Sequence, residues 1–281
     1  MKSEIAVRPA RAEDQGAVLA FCQHTFSWGD YIPEVWDAWL ADVNGQMFVA
    51  LLANQPVGVV HVALVNGVAW MEGMRVHPDF RRHGIGGTLE IAAHAFAHEK
   101  GCRTARLATS VKNTAAQGLL AKLGYRRAAQ FVEWETEPAR GDFAVARVAT
   151  EADLPDLLAR WNQSEIHAVC AVVPDRRWHW IELTPARVRE QIARGEARAT
   201  AHGFALLLAF DESDWNGLSL HALVGDEETA FALALAARGE AEYRGYRRVE
   251  AILVDHAALN AALERAGYRR KGGMFVYEQE V

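Results

Sequence analysis

The sequence predicts an α+β protein of mixed α/β character, built as two tandem domains. Each domain is expected to be a twisted, mostly antiparallel sheet flanked by helices. Three observations predict this. Two separate segments of the first half recur in the same order in the second. Period-two alternation marks strands between stretches of helical period. A glycine-rich turn joins a strand to a helix in the first half.

The repeat comes first because a missed repeat misassigns the fold. Arg8-Pro9-Ala10-Arg11-Ala12-Glu13-Asp14 is echoed by Arg147-Val148-Ala149-Thr150-Glu151-Ala152-Asp153, an offset of 139 residues. Leu120-Ala121-Lys122-Leu123-Gly124-Tyr125-Arg126-Arg127 is echoed by Leu263-Glu264-Arg265-Ala266-Gly267-Tyr268-Arg269-Arg270, an offset of 143. Glu137-Pro138-Ala139-Arg140-Gly141-Asp142 is the linker candidate, polar with Pro and Gly. The domains are therefore drawn at 1–137 and 142–281, and 281 residues suffice for two cores.

In order along the first half, Ile5 to Arg8 alternates as a strand and opens an amphipathic helix. Met47 to Leu52 and Pro56 to Val65 read as strands joined by the turn Ala53-Asn54-Gln55. Asn66-Gly67 is a hairpin signal leading into a strand over Val68 to Val76. Gly84 to Lys100 reads as a helix stopped by Gly101, Thr104 to Thr109 as a strand, Asn113 to Leu123 as a helix and Tyr125 to Glu135 as a closing strand. The second half opens with a strand over Phe143 to Arg147, then repeats the plan. Helices are expected over Glu151 to Asn162, Thr184 to Arg194, Glu227 to Ala241 and Ala257 to Ala266. Strands are expected over Ala197 to Phe210, Leu218 to Val224, Arg248 to Leu253 and Tyr268 to Tyr277.

Bulk composition narrows the function classes. Hydrophobic residues make up 51% and charged residues 23%, the balance of a globular protein. A net charge of -6 gives no general attraction for nucleic acid or an anionic membrane, so neither is expected as a partner. Cys22, Cys102 and Cys170 are too few and too scattered for a disulfide framework or a zinc site. The start of the chain carries charges where a signal peptide needs an apolar core, and the longest apolar runs fall short of a membrane span. The expected location is cytoplasmic. His94 and His98 have the spacing of a metal pair but no third ligand, so no metal is expected.

The sharpest local feature runs from Val76 to Thr88. Pro78 prevents the strand from continuing, and Gly84, Gly86 and Gly87 sit at the mouth of the following helix. Backbone N–H groups from Arg82 through Gly87, including His83 and Ile85, have no earlier carbonyl partners there. The helix dipole adds positive potential, and Arg81 and Arg82 add charge. The segment is expected to cradle a pyrophosphate. It is not a Walker loop, because no Gly-Lys-Ser/Thr ending is present. Nor does it complete a dinucleotide fingerprint, since position 89 is Leu89 and the preceding strands form a meander.

With those residues in place, the chain resembles the GNAT superfamily of acyl-CoA N-acyltransferases. Arg81, Gly84 and Gly86 after a Val-x-Pro strand end meet one motif of that family, and Asn113, Ala116, Gly124 and Tyr125 meet the other. The resemblance covers the first half and, through the repeat, a degraded second half. It implies a catalytic domain that binds acetyl-CoA through Met74, Val76, Arg81, Arg82, His83, Gly84, Ile85, Gly86, Gly87, Thr88, Asn113 and Ala116. It further implies a V-shaped opening between the strand ending at Val76 and the strand Thr104 to Thr109. Strand N–H groups near Met74 and Arg75 would face the thioester carbonyl there.

By the same resemblance Glu72 is the candidate base, expected on the strand face of Met74 and Val76 because side chains alternate with period two. The family's usual tyrosine acid is replaced by Leu120, and Tyr125 is a structural residue in the motif. A thiol leaves as thiolate near pKa ~8.5 without a strong donor, so this departure is expected to slow rather than abolish transfer. Between the first two strands, Phe26 to Leu40 concentrates Trp28, Trp36 and Trp39 with Tyr31 and three acids. Asp30, Glu34 and Asp37 are expected to draw a cationic amine, with Asp30, Tyr31 and Arg75 as substrate residues and Arg75 meeting a carboxylate. The phrase Asp30-Tyr31-Ile32-Pro33 with Glu72 to Val76 downstream resembles members of the family acting on amino acids, histidine among them.

The second half lacks the cradle. Gly225-Asp226-Glu227-Glu228-Thr229 offers carboxylates where an anion would need a positive helix end. The expected activity is therefore N-acetyl transfer from acetyl-CoA to the primary amine of a small molecule. Its rivals are an acyl-CoA-binding sensor without turnover, suggested by Leu120, and acetylation of a protein or peptide amine. A homodimer is left open.

Overall fold

The computed structural model describes residues 4–26, 29–140, 146–175, 178–211 and 216–281. Trp28, the Gly141-Asp142 end of the linker candidate and the first residues of the strand expected from Phe143 lie outside the described residues. Two compact units are found. Unit 1 holds residues 1–108, 113–126 and 277–281, and unit 2 holds residues 109–112 and 127–276.

The first half contributes β1 (Ile5–Pro9), α1 (Gln15–Cys22), α2 (Ile32–Leu40), β2 (Gly45–Leu52), β3 (Gln55–Val65), β4 (Val68–Val76), α3 (Ile85–Glu99), β5 (Thr104–Ser110), α4 (Thr114–Lys122) and β6 (Arg126–Thr136). Then follow β7 (Arg147–Val148), α5 (Leu154–Gln163), α6 (Glu165–Val169), β8 (Val172–Pro174), β9 (Trp180–Glu182), α7 (Pro185–Ala193), β10 (Ala197–Ala199), β11 (Phe204–Asp211), β12 (Asn216–Val224), α8 (Glu227–Tyr243), β13 (Arg248–Val254), α9 (Ala257–Arg265) and β14 (Arg269–Glu280). The fold is mixed α/β, with mostly antiparallel sheet flanked by helices. Among the described residues no helix is long and apolar enough to cross a membrane.

In unit 1 the strands run β1-β2-β3-β4-β5, antiparallel except for the parallel pair β4/β5. Two-residue turns set the registers. Ala53 and Asn54 have φ of 49 and 65°, and Asn66 and Gly67 have φ of 51 and 77°, the left-handed pairs that match strand twist. Each turn places its flanking residues directly opposite, Leu52 against Gln55 and Val65 against Val68. On one face Val18, Phe21, Ile32, Trp36, Met47, Val49 and Val59 form a core beneath α1 and α2. On the other, α3 lays Ile85 and Leu89 onto Gly58, where a methyl group would meet Ile85 at 2.8 Å and Leu89 at 3.0 Å. Fully burying each such side chain stabilises by about 2 kcal/mol, which explains the apolar stripe of α3. The last residues of β14 belong to this unit, where Glu278 pairs with Arg106 and Arg126 at 2.7 Å each.

In unit 2 the order is β14-β6-β13-β12-β11-β10-β7, with β12/β13 parallel. The strand expected over Ala197 to Phe210 is two strands. A turn separates them, closed by Thr200 N–H donating to the Gly203 carbonyl at 2.9 Å, and a side chain on Gly203 would overlap the Val224 carbonyl. The pair β8/β9 and the short α6 were not expected. Three-residue strands are too short to show a period, and Trp180 packs its ring against Phe131, a partner distant in sequence.

Candidate functional site

The site begins with a defect in β4. His61 stands opposite Glu72 and Val59 opposite Arg75, so two residues of β4, Gly73 and Met74, face the single residue Val60. This is a β-bulge, and the extra residue has no ladder partner. Gly73 adopts φ of 64°, and a side chain there would overlap the Trp39 ring, so both backbone and packing require glycine. The bulge shifts the alternation. Glu72 and Arg75 project to the α2 face, where Glu72 meets His61 and Arg75 meets Asp30. Met74 and Val76 project to the α3 face, at 3.6 and 4.0 Å from where a Gly86 methyl would lie. The expectation that Glu72 shares a face with Met74 and Val76 is corrected, because regular alternation fails at the bulge.

The same strand parts from its neighbour. β4 and β5 pair only at Val68/Thr104, Ala69/Ala105 and Trp70/Arg106, so from Met71 onward the strands diverge. Val76 then leads into a turn at Pro78–Phe80, Arg82 takes φ of 65° and Gly84 φ of 88°. Gly84 caps α3 without a side-chain acceptor, and Thr88 is the first amide to find one, the Gly84 carbonyl at 3.0 Å. The amides of the preceding turn, through Ile85, Gly86 and Gly87, have no intrahelical partner. Gly86 sits under α4, where a methyl would meet Leu119 at 3.2 Å. Arg81, Arg82 and His83 are exposed beside these amides, and His83 Nδ1 lies 2.9 Å from the Arg81 carbonyl. Asn113 caps α4 by accepting from the Ala116 N–H at 3.1 Å. An anion with a long amide-bearing arm fits these features, phosphates on the α3 amides and arm between the diverging strands.

Across the α2 face lies a ring of charge and aromatic surface. Asp30 Oδ2 accepts from Arg75 Nε at 2.7 Å and Oδ1 from a terminal nitrogen at 3.0 Å, with the Asp30 side chain 1% exposed. Burial opposes ionisation of Asp30, but hydrogen bonds from Arg75 and Thr25 with the charge of Arg75 hold its carboxyl below the ordinary range. Phe26 and Tyr31 cover the guanidinium at 5.2 and 5.1 Å. Asp30, expected to draw a cationic amine, and Arg75, expected to meet a carboxylate, are paired with each other. Tyr31 stands beside Arg75, and burial pushes its phenol up.

Glu72 is 18% exposed, and its Oε1 lies 2.9 Å from His61 Nδ1. His61 was not anticipated, although the turn at Asn66-Gly67 sets it opposite Glu72 and could have revealed it. Leu120 is buried in the helix core, and Tyr125 is buried too, with its hydroxyl 2.9 Å from His94 Nε2 and 3.2 Å from Met71 Sδ. Burial pushes the Tyr125 phenol far up. Among the described residues no group of three or more His, Cys, Asp or Glu is placed to hold a metal.

The corresponding place in unit 2 is differently furnished. Asp226 caps α8 by accepting from the Thr229 N–H at 2.8 Å, while Glu227 and Glu228 pair with Arg265 at 2.8 and 2.7 Å. β12 and β13 also stop pairing, after Leu220 and Ala251. Just beyond, His221 Nδ1 bonds the Pro174 carbonyl of β8 at 2.8 Å.

The chain is similar in sequence and fold to known acetyltransferases. Residues 15–125 match the acetyltransferase (GNAT) family. A histidine N-acetyltransferase of Oreochromis niloticus is 28% identical over 104 residues, covering 34% of this chain and 31% of that protein, so the match spans about a third of that relative's length. The fold matches a GCN5-related N-acetyltransferase from Sphaerobacter thermophilus with a TM-score of 0.67 at 16% identity, over 98% of this chain and 95% of that one. It also matches a tandem GNAT protein from the clavulanic acid biosynthesis pathway with a TM-score of 0.57 at 16% identity, over 99% and 98%.

Proposed function

Taking as premise that residues 15–125 form a GNAT acetyltransferase domain, we propose that the protein transfers the acetyl group of acetyl-CoA to the primary amine of a small molecule, with free amino acids the first acceptors to test. The observation that carries this reading is the bulged β4, which parts from β5 directly before the open, glycine-lined mouth of α3. The partial likeness to a histidine N-acetyltransferase supports an amino-acid acceptor.

In this reading acetyl-CoA supplies an activated thioester. The amides of Arg82 through Gly87 hold its diphosphate, with Arg81 and Arg82 alongside. The edges of Met74 and Val76 would receive the pantetheine arm, and strand N–H groups near Met74 and Arg75 would face the thioester carbonyl. Asn113 and Ala116 line the far wall as the cap of α4. Glu72 takes the proton of the incoming ammonium, which must be removed before nitrogen can attack. Arg75, gripped by Asp30, builds the acceptor wall with Tyr31 rather than binding substrate charge itself. The second half offers no diphosphate site, because Asp226 already fills the α8 terminus.

A second reading, an acyl-CoA sensor without turnover, is favoured by one observation: Leu120 is buried where the family's acid is expected. Thiol release from acetyl-CoA, followed with a thiol-reactive chromophore across amino acids including L-histidine and simple amines, separates the two. Release with at least one primary amine is expected. Tight binding of CoA with no release across the panel would favour the sensor.

A further inference from the structure

The α2 face holds a group that nothing above assigns. The ring of His61 is 1% exposed. Nδ1 lies 2.9 Å from Glu72 Oε1, and Nε2 lies 3.3 Å from Asp42 Oδ2 without the alignment of a hydrogen bond. Trp39 stacks on the imidazole at 4.6 Å with an interplanar angle of 7°. Trp39 is itself fixed over Gly73, where no side chain fits. Asp42 is held by accepting from the Asn44 N–H at 2.8 Å, and its side chain remains 26% exposed.

We propose that His61 is the positioning residue of Glu72: its Nδ1–H donates to Oε1 and holds the ionised carboxylate aimed for proton uptake, with Trp39 setting the ring plane and Asp42 at the opposite nitrogen. The inference rests on the reading of Glu72 as the base. A buried imidazole has to place its nitrogens, and a hydrophobic residue would pack under Trp39 at lower cost unless the nitrogens were used. The cross-strand register sets the two side chains side by side on one face, since the Asn66-Gly67 turn puts residue 61 against residue 72. A hydrogen bond donated to a carboxylate favours its charged form, the form a base must hold to accept a proton. Among the described residues, Tyr31, Arg75 and Asp30 also face this pocket, and the Asp30–Arg75 pair is internally neutral.

The test needs no acceptor. In protein carrying carboxyl-13C glutamate, the Glu72 resonance is the one absent from Glu72→Gln. Its titration midpoint is expected to rise by about one pH unit in His61→Phe, which keeps the stack on Trp39 but has no donor, and to return toward wild type in His61→Asn, which restores an N–H. In the unaltered protein, long-range 15N–1H spectra are expected to show Nδ1 of His61 protonated at a pH where Glu72 is ionised. An unchanged midpoint in His61→Phe, or a bare Nδ1 in the unaltered protein, overturns the proposal. Should His61→Phe fail to fold, the spectrum of the unaltered protein still decides. Because neither measurement involves turnover, their failure leaves the assignment of Glu72 as base standing. That assignment falls separately if Glu72→Gln keeps the acid limb of its pH-rate profile.

Discussion

Asp30 holds Arg75 by two hydrogen bonds of 2.7 and 3.0 Å, joining residues 45 positions apart, and a terminal guanidinium nitrogen reaches the Met74 carbonyl at 3.1 Å. The pair clamps the segment before α2 to the strand just beyond the bulge. In the proposed function it would tie the acceptor wall to the backbone that faces a thioester.

Asp30→Ala leaves a largely buried guanidinium without its carboxylate. We expect a loss on the order of 3 kcal/mol in urea unfolding at pH 7. Because the Asp30 carboxyl is held below its ordinary range, the stabilisation is fully present above the unfolded-state value near ~3.9 and fades as pH falls through the folded value. The gap between the two proteins should therefore narrow below about pH 4. A gap that stayed constant to pH 2 would count against the pair.

Gly73→Ala should cost roughly 2 kcal/mol or more, since the residue must hold positive φ and displace Trp39. Tryptophan fluorescence should change as Trp39 moves. A variant as stable as wild type, with unchanged emission, would show that the bulge does not need this glycine.

Glu90 on α3 is buried, and burial pushes its carboxyl up to about 7 against a smaller opposing pull from the Tyr125 phenol. A raised carboxyl contributes most below the unfolded value near ~4.3 and loses that contribution as pH rises toward 7. Relative to wild type, Glu90→Gln should gain up to about 3 kcal/mol between pH 4 and pH 8. Unfolding curves whose difference is flat across that range would contradict the assignment.

Glu72→Gln should lower kcat most at low pH, where an ammonium acceptor is hardest to deprotonate, with KM for acetyl-CoA nearly unchanged. Proportional losses at every pH would assign Glu72 to packing instead.

Much of this was legible in the residues. The Asn66-Gly67 hairpin, the helix opening at Gly84 and the cap at Asn113 follow from turn and cap chemistry that acts locally, and each lies where its residues put it. The bulge was not legible, because Gly73 inside an alternating strand carries no mark of which residue is doubled, and one doubled residue reverses the face of everything after it. The fate of Asp30 was hidden for a different reason. A carboxylate before a helix reads as available until the structure brings in its partner, and Arg75 arrives from a strand far along the chain. His61 was lost among the apolar residues of β3, although the hairpin register alone sets it beside Glu72.

The central claim is that the free amides at the mouth of α3 hold the diphosphate of CoA. Isothermal calorimetry of CoA binding to the unaltered protein, to Arg81→Ala and to Gly86→Glu tests it most directly, with circular dichroism as the check on folding. Binding to the unaltered protein, weaker by about tenfold in Arg81→Ala and absent in a folded Gly86→Glu, is the predicted result. Binding undiminished in a folded Gly86→Glu would contradict it.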